Sequence, residues 1–388
     1  MKLLKSSSSV LILSHFFIHP FKNESTSTVI RKFLIDKVKK IVQIEQPFPE
    51  SKEKYSLEYF YLDAKLKNRI KFQSIKKPYW LSYLIDPINV IYRVLNTFSK
   101  YDFCIACDNL SFISVLPLKK IGLIKKLVYY SVDYMEIRFQ NRLLNSIYHL
   151  IDKIACQNSD ENWVVAKVQI EGRKENGLLV DKCAHFKVVP IGFVNREINV
   201  LNTSQINYYN LIFCGGLRES AGPQLAIGAL PDIIKEFPKI TLTIIGDGEY
   251  RINLEKLAIN LGVSKRVKFL GMIISHKKIV KILTKCSIGL APYAPIPGSI
   301  SYRSDPGKIK LYLACGLPVI TTKIATSHNV ITANKAGIVI DFDEQDLAKA
   351  IYQVLKNKER YGTYRKRAIS LSKRYDSDRI LTYAFKDI

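Results

Sequence analysis

Short apolar runs ending in glycine or aspartate recur along the chain, separated by helix-length stretches. In the second half, residues 210–216, 240–245, 267–270, 287–292, 319–322 and 337–342 read as strands. Residues 222–237, 251–261, 277–285 and 344–357 read as helices between them. Such alternation builds a parallel sheet with helices on both faces, and its ligand crevice opens at the carboxyl ends of the strands. The first half repeats the theme, with strands at 10–17, 41–45, 102–108 and 126–131 and another centred on Trp163. Its helices read at 29–40, 80–94, 110–121 and about 140–156. Polar residues 197–209 make a linker. The chain therefore reads as two doubly wound α/β domains, 1–198 and 199–371, with a basic helical tail whose last part, about 372–388, is long enough to return to the first.

One stretch of the second half, 304–322, is marked at both ends. Asp305 suits an N-cap and Pro306 the first helical position, where its missing N–H costs nothing. Gly316 supplies a left-handed residue that closes the helix, and Pro318 forbids continuation. Lys308 then stands in the first turn, where the helix dipole repels a cation by about 0.3–1 kcal/mol. A bare backbone at Gly307, unpaired N–H groups and a lysine together describe a seat for an anion. At 100° per residue, Ile309, Tyr312 and Leu313 share the packing face, and Lys308, Leu311 and Cys315 share one that can look at a ligand.

The chain has 388 residues, is 47% hydrophobic and carries a net charge of +25, as +12 over residues 1–200 and +13 over the rest. Charge spread this evenly, with no nucleic-acid module, points to a phosphorylated substrate or an anionic membrane surface and away from nucleic acid. Seven scattered cysteines in apolar surroundings read as reduced core residues of a cytoplasmic protein. Cys104 and Cys107 have redox or zinc spacing, but no second pair accompanies them. The apolar run after Met1 is short, and His15 interrupts it, so it reads as a buried strand and not a signal peptide. No apolar stretch reaches the ~18–20 residues of a spanning helix. Lys65, Arg69, Lys71, Lys76 and Lys77 lie near Tyr79 and Trp80, a pattern suited to peripheral contact with the inner face of a membrane and equally to a solvated helix–loop face. Asp108 and Asp133 stand at strand ends, where an aspartate serves as a helix cap or faces the crevice.

Four motifs in register carry a resemblance. Phe213-Cys-Gly-Gly-Leu217, Ile244-Ile-Gly-Asp-Gly248, Val267-Lys-Phe-Leu-Gly271 and Lys308-Ile-Lys-Leu-Tyr-Leu-Ala-Cys-Gly-Leu-Pro-Val-Ile320 resemble glycosyltransferase family 4, of the GT-B fold. The resemblance implies two Rossmann-like domains facing each other across a cleft. It also implies retaining, metal-independent transfer of a sugar from a nucleotide-diphosphate donor to a lipid-linked or polysaccharide acceptor in surface glycan synthesis. No cofactor is implied beyond the nucleotide-sugar substrate. The first domain would bind the acceptor and the second the donor. Lys308 and Arg218 would hold the diphosphate as it leaves, and Asp133 would lie beside the acceptor. Gly215, Gly216, Gly246, Gly271, Met272, Arg303, Ser304, Gly307, Ile309 and Leu311 would line the donor.

Several positions depart from the family pattern. Gly216 stands where members commonly have arginine, Ala221 where they have lysine, and Leu311 where a glutamate grips the ribose. Arg303 replaces an acidic residue, and Val132 falls where a histidine is often found. A catalytically degenerate protein, acting as a scaffold in a glycan-assembly complex, is the alternative these departures raise. The Asp341-Phe-Asp343 spacing resembles a metal-binding motif of the other glycosyltransferase fold, but here it ends a strand and caps a helix.

Overall fold

The computed structural model describes residues 6–16, 25–49, 51, 53–74, 79–97, 99–194, 198–303, 305–324 and 326–386. They group into two compact units, Met1–Ile191 with Ser377–Ile388, and Gly192–Asp376.

In the first unit the order is β1 (Ser9–Phe16), α1 (Thr26–Leu34), β2 (Lys40–Pro47), β3 (Tyr55–Leu62), β4 (Lys65–Gln73), α2 (Tyr79–Asn96) and β5 (Tyr101–Ala106). It continues with α3 (Asn109–Lys120), β6 (Ile124–Ser131), α4 (Arg142–Asn158), β7 (Glu161–Val164), α5 (Val168–Glu175) and β8 (Phe186–Val188). The sheet runs β4-β3-β2-β1-β5-β6-β7-β8, parallel from β2 to β8, with β3 and β4 antiparallel at one edge. Val10 to Leu13 are at most 1% exposed, as strands covered on both faces require. A buried pair braces the far side: Arg173 Nε donates to Asp152 at 2.7 Å, and Tyr129 donates its hydroxyl to the same carboxylate at 2.6 Å.

The second unit holds β9 (Asn210–Cys214), α6 (Pro223–Gly228), α7 (Leu230–Glu236), β10 (Thr241–Ile245), α8 (Arg251–Asn260), β11 (Val267–Phe269), α9 (His276–Leu283) and β12 (Ile288–Ala291). Then come α10 (Gly307–Ala314), β13 (Val319–Thr322), α11 (His328–Asn334), β14 (Gly337–Ile340), α12 (Glu344–Leu355) and α13 (Lys358–Ser372). Its all-parallel sheet is ordered β11-β10-β9-β12-β13-β14. One core packs beneath α6, α7, α8 and α12, the other beneath α9, α10 and α11. The last helix, α14 (Ser377–Ala384), belongs to the first unit, where Phe385 stacks on Phe33 at 5.8 Å.

Three expectations need correction, and residues 55–73 hold an element that the sequence reading left unassigned. Residues 55–73 form the β3–β4 hairpin at the sheet edge, where charged side chains discourage pairing with another chain. Lys71 covers the Tyr55 ring there at 3.8 Å. Lys76, Lys77 and the side chain of Trp80 lie outside the described residues. The helix expected over 222–237 is two helices, because Pro231 has no N–H to give the carbonyl of Ile227. The first helix starts at Thr26, capped by Ser25, and ends by Leu34, short of residue 40. The N-cap before α10 is Pro306, and Asp305 is used elsewhere: its carboxylate pairs with the buried Lys310 ammonium at 2.5 Å and accepts from Ser327 at 3.1 Å.

Candidate functional site

In both sheets the direction of winding reverses beside the first strand, between β1 and β5 and between β9 and β12. Neighbouring connections there leave on opposite faces, so a crevice opens at the carboxyl ends. Each unit carries an unusual group of side chains at that point.

In the second unit, three strand ends meet through glycines. Gly215 donates to the Ile245 carbonyl and Gly246 to the Gly271 carbonyl, both at 2.9 Å. A Cβ on Gly246 would stand 1.9 Å from the Gly215 carbonyl oxygen, so only glycine fits. Gly215 itself has φ +148°. The helix α10 is pinned over this row by Tyr312, whose hydroxyl accepts from the Cys214 N–H at 2.6 Å and donates to the Leu290 carbonyl at 3.3 Å. Its ring lies against Gly289, where a Cβ would come within 2.5 Å. Tyr312 thus bridges β9 and β12. Lys308 is one turn earlier on the same face, and this differs from the facing expected above: Lys308 goes with Tyr312, and Cys315 is buried.

The Lys308 ammonium lies 4.2 Å from the centre of the Phe213 ring and 4.9 Å from that of Tyr293. Neither it nor the exposed Arg218 has an acidic partner among the described residues. Burial pushes the Lys308 pKa down to about 8; the Cys214 thiol opposes this and the Arg218 charge adds to it. Aromatic faces repay part of the lost hydration. Gly307 is exposed, with open space where a Cβ would be, so the first turn of α10 is not plugged.

The structure gathers Gly215, Gly246, Gly271 and Lys308 at one place, with the Arg218 guanidinium beside Gly216, 3.6 Å from the position of a Cβ there. Met272 follows, 54% exposed. Ile309 is different: its side chain is buried and its N–H donates to the Pro306 carbonyl at 3.2 Å. Gly307 and Lys308 keep N–H groups with no backbone partner among the described residues. Leu311 packs half-buried against the core under α10, and Arg303 ends a short 3₁₀ turn. Ser304 lies outside the described residues. Asp343 caps α12, and Asp341 pairs with Lys323.

In the first unit a cavity of about 690 Å³ opens at the β1–β5 reversal. Its walls include Phe48, Leu110, Ile113, Leu144, Ile147 and Ile151, and Asp133 lies on its lining. At the strand ends it is lined by His15 and Asp108. The imidazole Nδ1 is 2.9 Å from Asp108 Oδ1 and 3.1 Å from Ser111 Oγ. The same carboxylate accepts from the His15 and Ser111 backbone N–H groups, each at 2.8 Å, as it caps α3. Burial opposes the charged carboxylate, but His15 and the Ser111 hydrogen bonds outweigh it and hold the Asp108 pKa low. Sequence reading missed His15, taking it as an interruption in an apolar run. Its partner is 93 residues away and only the β1–β5 register brings them together.

Residues 208–357 match the family model Glycosyl transferases group 1. Curated relatives include a GDP-mannose-dependent monoacylated alpha-(1-6)-phosphatidylinositol monomannoside mannosyltransferase of Corynebacterium glutamicum, 28% identical over 34% of this chain and 34% of that protein. Another is the alpha-monoglucosyldiacylglycerol synthase of Streptococcus pneumoniae, 28% identical over 42% of this chain and 33% of that protein. The matched stretch thus spans about a third of the length of these relatives. Among solved structures, Anabaena Alr3699/HepE in complex with UDP superposes with TM-score 0.70 at 16% identity, over 98% of this chain and 100% of that one. Sucrose-phosphate synthase (tll1590) of Thermosynechococcus elongatus gives 0.72 at 12%, over 98% of each.

Two doubly wound units, each with its crevice at a winding reversal, are those of the GT-B fold. Over residues 208–357, within the second unit, the chain is similar to the glycosyl transferases group 1 family.

Proposed function

We propose that this chain is a glycosyltransferase that moves a sugar, with retention and without a metal, from a nucleoside-diphosphate donor to a lipid-linked or glycan acceptor in surface glycan synthesis. The observation that carries this reading is Lys308: an enclosed ammonium with no acidic partner among the described residues, at the winding reversal, next to a helix N-terminus whose first residue is bare glycine. An enclosed cation with no counter-ion is costly unless a ligand supplies one. A diphosphate does, and charge developing on it as the sugar departs is best met by preorganised donors. Lys308, the N–H groups of Gly307 and Lys308, and Arg218 take that role. Gly215 and Gly216 let the donor approach the backbone, and Gly271 with Met272 meets the base through main-chain groups. The relatives' names, which include a GDP-mannose-dependent mannosyltransferase and a glucosyldiacylglycerol synthase, support a nucleotide-sugar donor and a lipid acceptor.

Calorimetric titration of the chain with UDP, GDP and ADP tests the donor half. One nucleotide should bind in the micromolar range, and Lys308→Ala should weaken it at least tenfold. No heat from any of the three at millimolar concentration would overturn the reading, as would equal affinity in the variant.

A further inference from the structure

We propose that the free edge of β14 docks an acidic segment of a partner protein, which extends the second sheet by one strand. In the order β11-β10-β9-β12-β13-β14 this strand comes last, so only one of its sides is paired. The phase of that pairing is fixed: Val319 lies opposite Gly337, and its N–H donates to the Ala336 carbonyl at 3.2 Å. In a parallel ladder a residue so placed accepts in turn from the residue after its opposite, here Ile338. Ala336, Ile338 and Ile340 thus turn their peptide groups to β13, and Gly337 and Val339 turn theirs outward. Among the described residues no hydrogen bond reaches those outward groups. A Cβ on Gly337 would stand 1.8 Å from the Val319 carbonyl oxygen, so this residue offers bare backbone at the edge.

Residues 337–339 line a groove of about 790 Å³, with walls from α11, α12 and α13. Its described lining holds Lys323, Lys335, Arg360 and Arg367 and no aspartate or glutamate. Lys323 is matched by Asp341 at 3.0 Å, while the other three are exposed and have no acidic partner among the described residues. Arg360 and Arg367 share one face of α13, with Tyr364 between them and about 10 Å separating them along the axis. An extended chain covers that distance in about three residues. These observations select the occupant. Outward N–H groups could meet any oxyanion, but outward carbonyls need a donor, and a phosphodiester has none to offer. A peptide strand supplies both. Its side chains must be acidic to meet the basic walls, and the same walls repel a second copy of this +25 chain.

The probe is the peptide acetyl-Glu-Val-Glu-Thr-Glu-Val-amide, titrated calorimetrically into the intact chain at about 150 mM salt, where loose attraction between exposed charges is screened. One peptide should bind per chain, and amide hydrogen exchange at Gly337 and Val339 should slow at least tenfold at saturation. The counterpart with lysine for every glutamate should not bind. The acidic peptide N-methylated throughout keeps its carboxylates but can donate no backbone hydrogen bond, and it should bind at least tenfold more weakly. Arg360→Glu combined with Arg367→Glu, both at exposed positions, should weaken the acidic peptide at least tenfold with an unchanged melt. Val339→Pro removes an outward N–H, a change that edge strands tolerate, and should weaken binding likewise. No binding at millimolar peptide, unchanged exchange at Gly337 and Val339, equal affinity for the N-methylated peptide, or indifference to the double charge reversal would each overturn the proposal. If Val339→Pro does not fold, exchange and the charge reversal still decide it. Phosphatidylglycerol vesicles are the competing occupant: capture of the chain by vesicles, lost on charge reversal and without peptide binding, assigns the groove to lipid and overturns the proposal as well.

Discussion

The Lys308 ammonium nitrogen lies 3.0 Å from the point a Cβ would occupy on Gly215. The lysine therefore lies over bare backbone at the end of β9, where any side chain would take its place. Gly215 also has a φ of +148°, which side-chain-bearing residues rarely adopt. Gly215→Ala should displace Lys308 and strain the strand end by about 1–3 kcal/mol. Affinity for the nucleotide that binds should fall at least tenfold by calorimetry, with a lowered but cooperative melt.

Lys308 lowers stability for the sake of binding. Its folded pKa of about 8 lies below the ordinary 10.5, so below pH 8 the folded state carries a charge it disfavours. As pH rises from 8 towards 10.5 the folded chain loses that proton first, and the cost disappears. Lys308→Met should therefore melt higher than the parent at pH 7, with the gap closing by about pH 10, while nucleotide binding is lost. In the parent a bound diphosphate favours the ammonium. Nucleotide binding at pH 8–9 should then take up as much as one proton, seen as a buffer-dependent heat, and near pH 6.5 almost none.

Gly246 packs directly on backbone. A Cβ 1.9 Å from the Gly215 carbonyl has no flexible neighbour to push aside. Gly246→Ala should cost at least about 3 kcal/mol in urea unfolding, at the severe end for overpacking.

Asp152→Ala tests the first unit. It leaves Arg173, only 1% exposed, without its counter-ion and takes the acceptor from Tyr129. A loss of about 3–5 kcal/mol is expected for one half of a buried pair. Nucleotide binding by the second unit should survive at temperatures where the variant is folded.

Where a segment's structure depends on its own residues, it was legible. The β9, β10, β12 and β13 runs are continuous and apolar because both faces are covered, and Gly316, at φ +78°, closes α10 as its type suggests. Where the outcome depends on a distant partner, it was not. β4 alternates, with Leu66, Ile70 and Phe72 set between Lys65, Lys67, Arg69 and Lys71, but its side chains are almost all exposed, so the pattern marks no buried face and only pairing with β3 makes it a strand. Asp305 is a good cap by type, yet the buried Lys310 claims it, because an ammonium taken out of water needs a carboxylate more than a helix start needs a cap.

The order of strands and helices, the glycine-ended turns and a lysine in the first turn of a short helix were determined by the sequence itself, because hydrophobic periodicity and backbone chemistry act over a few residues. Tertiary structure alone decided what those groups face. The order of strands in each sheet brings Gly215 beneath Lys308 and His15 beside Asp108, pairs separated by 93 residues, and no local pattern encodes which strand ends become neighbours.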